Sequence, residues 1–146
     1  MPTRKLGFSA LLTAVYTRLT THALTLTYAF YNHVPDNTAY PYHVIGKMMG
    51  VRSARFETRD KEAEDNAFQV DSWMDKTSGM GDKPCADRMN NIIQALTSSA
   101  LSMTGTGYNA IHLYLDYSEI MLDPDHPELL LRHGLLRFRI DMSPAS

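Results

Sequence analysis

Phe8, Leu12, Val15 and Leu19 recur at i, i+4, i+7 and i+11, and Leu11 widens the stripe, which is the spacing of one helical face. The pattern predicts a first helix over about residues 3–20. The threonine-rich piece 20–27 breaks it, because β-branched side chains lose rotamer freedom in helices. The aromatic stretch Tyr28–His33 then runs into Val34-Pro35-Asp36-Asn37, and a strand entering a turn fits both parts. Pro41 cannot donate to a sheet ladder, so it marks the start of a second strand over Tyr42–Gly46. From Ala67 to Met74, Phe68 and Val70 face one way and Gln69 and Asp71 the other, with Trp73 near the end, as in a half-buried strand.

The second helix carries the clearest signal. Asp82 stands where a cap would, Pro84 sits in the first turn, and Ala86, Met89, Ile93, Leu96 and Ala100 form the stripe. Gly105 and Gly107 follow as a stop. Ile111, Leu113, Leu115 and Tyr117 alternate with His112, Tyr114, Asp116 and Ser118. Leu136, Phe138, Ile140 and Met142 alternate with Leu135, Arg137, Arg139 and Asp141, which buries one face and displays two arginines on the other. The order is α-β-β-β-α-β-β. Strands that run in groups with one helix between them predict an α+β domain. Its sheet is mainly antiparallel, of four to five strands, with two helices packed on one face.

Composition narrows the function classes. The 146 residues suit a single domain, 1–146, with no internal repeat. A net charge of −2, from 14 Lys/Arg and 16 Asp/Glu, argues against avid nucleic-acid binding or a polybasic membrane anchor. Leu, Ile, Val and Phe total only 32 residues, so nine Met and eight Tyr must complete an adaptable core. No apolar run reaches 18 residues, and Arg18 with Thr13 and Thr17 makes the N-terminal run an amphipathic helix in place of a signal peptide. The single cysteine, Cys85, cannot form an internal disulfide.

Catalytic and metal-binding patterns are sparse in the sequence. The six histidines form no HExxH pair, and Cys85 has no CxxC partner. Asp123–His126 offers three metal ligands, but Pro124 and Pro127 make a turn the better reading. No nucleophile elbow is present, and Gly105-Thr106-Gly107 follows a helix where a phosphate loop would follow a strand. A ligand-binding or hydrolytic site would have to draw on His112, His133 and Cys85. The expectation is therefore no enzyme, no cofactor and no metal. Two charged features invite a partner. Nine of the fourteen residues from Arg52 to Asp65 are charged with mixed signs, which suits either a solvated loop or an arm ordered by a partner. Arg137 and Arg139 share one strand face, free to grip a partner's anions or to pair with Asp71 or Asp116 on neighbouring strands.

Taken together, Tyr31–Gly46 (YNHVPDNTAYPYHVIG), Val70-Asp71-Ser72-Trp73, Ile92-Ile93-Gln94-Ala95-Leu96 and His133–Ile140 (HGLLRFRI) give the chain a recognisable order. It resembles the small tail-completion proteins, or tail terminators, of long-tailed bacteriophages and phage-like gene transfer particles. The resemblance implies a structural virion protein that forms a ring with itself, a hexamer, on the end of the tail tube. Such a ring ends tube polymerisation and joins the tail to the head connector, and duplex DNA passes through its lumen without sequence-specific binding. It implies assembly in the host cytoplasm, a place at the neck of the virion, and no membrane. A head-completion or connector protein on the head side of the neck is the alternative. On this reading the arm residues Arg52, Arg55, Glu57, Arg59, Asp60, Lys61 and Glu62 are candidates for the subunit or tube interface. Arg137 and Arg139 are candidates for lumen or partner contact.

Overall fold

The computed structural model describes residues 7–51, 64–77, 81–103, 108–124 and 130–144. Helix α1 spans Phe8–Thr21, followed by β1 (Phe30–Tyr31), β2 (Tyr42–Val51) and β3 (Glu64–Met74). Helix α2 covers Lys83–Thr97, and β4 (Tyr108–Leu122) and β5 (Arg132–Pro144) close the chain. The strands form one five-stranded sheet in the order β1-β2-β3-β5-β4. All pairs are antiparallel except β1 with β2, so the sheet is mixed, its parallel part being the two-residue strand β1.

The two-residue period of the strands decides which face is covered. Phe68, Val70 and Met74 of β3 and Leu136, Phe138, Ile140 and Met142 of β5 are buried, all at even positions. They pack against Leu11, Ala14, Val15 and Leu19 of α1 and Cys85, Met89, Ile92, Ala95 and Leu96 of α2 in one apolar cluster. Phe68 and Phe138 are register partners and stack with centroids 5.2 Å apart at its centre. Both helices therefore cover one sheet face.

Helix α2 is turned slightly from its expected orientation: Cys85, Ile92 and Ala95 are buried, whereas Ala86 and Ile93 are half-buried and Ala100 is exposed beyond the helix end. Asp82 makes no side-chain cap. Its carboxylate instead accepts a hydrogen bond from Arg132 Nε at 2.8 Å. The C-terminal end is closed from another element, as Arg18 on α1 donates to the carbonyls of Ala95, Ser99 and Ala100 at 3.1, 3.3 and 2.7 Å. Those are orphan acceptors at or just past a helix end. Gly105 and Gly107 lie outside the described residues. Gly134 of β5 permits close approach, because a Cβ there would lie 2.7 Å from Met89 Sδ and 2.8 Å from Cys85 Sγ.

Candidate interaction surface

The sheet face that no helix covers among the described residues carries the odd positions of β3 and β5 and the side chains of β2 and β4 that lie beside them. The register places Tyr42 beside Trp73, Trp73 beside His133, and His133 beside Met121. Two same-face steps along, Gln69 lies beside Arg137, and Arg137 beside Tyr117. Arg139 lies beside Tyr114. The arginines are thus on the face opposite the helices, as their alternation with Leu136, Phe138 and Ile140 requires.

β4 reaches this arrangement through a bulge. Leu115 pairs with Phe138 and Tyr117 with Arg137, leaving Asp116 as the extra residue. One inserted residue reverses the facing of everything after it. Leu113 and Leu115 stay on the helix side, whereas Tyr117, expected with them, turns to the open face. Ile120 then returns to the helix side opposite Gly134.

Polar groups on the open face are ordered by one another. His133 donates from Nε2 to Asp71 Oδ1 at 2.8 Å, and Gln69 Nε2 donates to both Asp71 oxygens at 2.9 and 3.1 Å. Trp73 lies flat against the His133 ring, centroids 4.0 Å apart and 6° from coplanar. Asp71 is consequently engaged by His133 and Gln69, and it is not the partner of Arg137. The Nε of Arg137 is buried with no hydrogen-bond partner. A buried guanidinium nitrogen left unpaired is costly, and Arg132 Nη1 is in the same state. Tyr117 donates to Glu119 at 2.7 Å, and this bond raises the phenol's pKa, since losing the proton would set two negative charges together.

The helix side of the sheet holds a second polar group, sealed from solvent. His43 on β2 and Ser72 on β3 are both fully buried, with Nδ1 and Oγ 2.7 Å apart. Arg88 Nη1 approaches His43 Nε2 at 3.3 Å and can only donate, so Nε2 accepts and Nδ1–H donates to Ser72. Burial, and then the charge of Arg88, lower the His43 pKa to about 3. Phe30 stacks on His43 at 5.1 Å, and Arg88 lies 4.2 Å above the Tyr28 ring, whose hydroxyl accepts from Asn91 at 2.8 Å. Despite its resemblance to a nucleophile and base, this buried pair ties α2 to β2 and β3. Its composition could not be read from the sequence, which scatters it over residues 28–91.

The residues of the catalytic alternative are not brought together. Cys85 is buried under Gly134 on the helix side, and burial followed by the Asp82 charge pushes its thiol pKa up, away from reactivity. His133 lies on the opposite face, and His112 is exposed on β4 beside Asp141. Among the described residues no group of three or more His, Cys, Asp or Glu could hold a metal, and no helix is long and apolar enough to cross a membrane. Arg52, Arg55, Glu57, Arg59, Asp60, Lys61 and Glu62 lie outside the described residues. Of the expected arm only Glu64 and Asp65 are placed, and they open β3 three residues earlier than its alternation suggests.

Comparison with known proteins adds the family. Residues 13–143 match the model of a family described as "Tail completion protein gp17". No curated protein matches. Among solved structures, a chain from "Virion of native gene transfer agent (GTA) particle" shares the fold with a TM-score of 0.76. It is 16% identical, and the match covers 96% of this chain and 99% of that one.

Proposed function

Because the chain belongs to the tail completion protein gp17 family, and is thus a structural tail protein, we propose that it closes into a ring, a hexamer, on the end of the tail tube. The ring ends tube polymerisation and offers its other side to the head connector proteins at the neck of the virion, after assembly in the host cytoplasm. The observation that carries this reading is the family match over 131 residues, counted from 13 to 143 inclusive.

Physical considerations support it. A body of 146 residues has a radius of gyration near 15 Å and a width of roughly 38 Å. Six such bodies in a closed ring leave a hole about one subunit wide, enough for duplex DNA. A net charge of −2 suits a lumen through which DNA slides, since each phosphate neutralised tightens binding. The open sheet face, with Arg137 and Arg139, is the candidate for lumen or partner contact. The segment of Arg52, Arg55, Glu57, Arg59, Asp60, Lys61 and Glu62 is the candidate for subunit or tube contact. None of this chemistry requires a cofactor or a catalytic residue.

The test is tail length in particles made without this protein. Overlong tubes lacking heads, restored by supplying the protein, are expected. Tails of normal length beside heads that lose their DNA would instead indicate the head-completion role.

A further inference from the structure

Strand β4 is an edge of the sheet, paired only with β5 among the described residues. Its 15 residues make an edge roughly 50 Å long. Tyr108–Leu122 contains no proline, lysine or arginine, the residues that usually blunt such an edge. Its final part, Tyr117–Leu122, pairs with β5 without a register shift. That part exposes large apolar side chains: Tyr117 is 48%, Met121 37% and Leu122 49% exposed. A regular, apolar edge of this kind is a template for another strand.

The opposite edge is also incomplete. β1 covers β2 only at His43 and Val44, and the Asn32 side chain occupies the Ile45 carbonyl at 2.7 Å. From Gly46 to Val51 the outer side of β2 has no strand beside it among the described residues. The two open stretches, 46–51 and 117–122, are each six residues long. Their charges are complementary. Exposed Glu119 is the single Asp, Glu, Lys or Arg residue of 117–122, and exposed Lys47 is the single one of 46–51. Lys47 stands in the β2 bulge between Gly46 and Met49 with φ 50°, a conformation that an L residue holds at a cost.

We propose that the β4 edge of one copy pairs with the Gly46–Val51 edge of β2 in the next copy, so that neighbouring sheets become continuous. The inference rests on the ring reading and supplies its subunit contact. Two different edges joining head to tail make a heterologous contact, the kind that closes into a ring. Closure covers both open stretches. Strand direction follows. Within one copy β2 and β5 run one way and β3 and β4 the other, through three antiparallel pairings. The register sets Tyr117 level with Gly46 and Met121 level with Tyr42, so seating 117–122 on 46–51 takes a shift of about five residues, roughly 17 Å, which four strands tilted roughly 40° to the ring axis supply. Rotation about that axis preserves the strand directions and keeps the helices on one side of every copy. β4 therefore meets the neighbouring β2 antiparallel.

Residue-resolved amide exchange on the full-length assembled protein tests this. The outward amides of 117–122 and of 46–51 should exchange as slowly as β3 amides, roughly tenfold or more below the rate of a free edge. Proline variants give an independent check, because successive amides of a strand point to opposite sides. Of Ser118→Pro and Glu119→Pro, one removes an outward amide and should leave a folded chain that no longer assembles. The other removes an amide bonded to β5 and should weaken the fold. A ring whose 117–122 amides exchange freely, or a folded proline variant that assembles normally, overturns the edge contact and leaves the ring standing. Protection of 117–122 without 46–51 also overturns it, since that pattern marks a two-fold β4 pair. A wild-type chain that remains monomeric at every concentration and in the particle overturns the ring reading itself.

Discussion

His43 donates to Ser72 across β2 and β3 in a site with no solvent contact, and it does so as a neutral ring. Its neutrality has a thermodynamic consequence. In the unfolded chain the imidazole titrates near 6.5, whereas in the fold burial and Arg88 hold it down to about 3. Above pH 6.5 the ring is neutral in both states and contributes no pH dependence. Below that value only the unfolded chain takes the proton, so stability falls as pH drops from 6.5 toward 3. The loss is about 1.4 kcal/mol per unit, and up to about 4–5 kcal/mol in all. Urea melts between pH 7.5 and 4 should show this slope. His43→Gln should be less stable at pH 7.5 yet lose stability less steeply in acid. An unchanged slope in the variant would mean that His43 is protonated in the fold.

Arg18 joins the helices by closing the end of α2. Replacing it with Met keeps the apolar stem and removes the donors to Ala95, Ser99 and Ala100. Hydrogen bonds to a charged group contribute about 1.5–3 kcal/mol, and partial exposure puts the expected loss near the lower figure. Thermal melting of Arg18→Met reads it directly, and an unchanged melting temperature would show that water caps this helix equally well.

Gly134 is set by packing. A methyl group there collides with Met89 and Cys85 sulfurs in a filled core, so Gly134→Ala should cost about 1–3 kcal/mol. Adding Cys85→Ala makes room and should recover part of the loss. A double variant no more stable than Gly134→Ala would place the strain elsewhere.

The main architecture is legible in the residue pattern because burial on one face imposes its own period. The alternation of Phe68 with Val70 and of Leu136 with Phe138, Ile140 and Met142 marks the helix-facing sides of β3 and β5. It also puts Arg137 and Arg139 opposite the helices. The pattern fails where a local event breaks the period. The bulge at Asp116 sends Tyr117 to the open face, which no alternation rule anticipates. The aromatic stretch Tyr28–His33 yields only the two residues of β1, because Tyr28 serves the Arg88 and Asn91 contacts instead of a ladder. Asp82 has the composition of a cap but meets Arg132, a partner 50 positions away that local sequence does not reveal. The Asp71, His133 and Trp73 assembly on the open face is likewise visible only once the register of β3 and β5 is known.

The central claim is that this chain ends the tail as a ring. Imaging of the assembled particle, with this subunit placed in the density, tests it most directly. The account predicts one closed ring of six copies at the head-proximal end of the tail tube, with DNA or an open channel through its centre. Copies found only on the head side of the connector, or repeated along the tube, would contradict it.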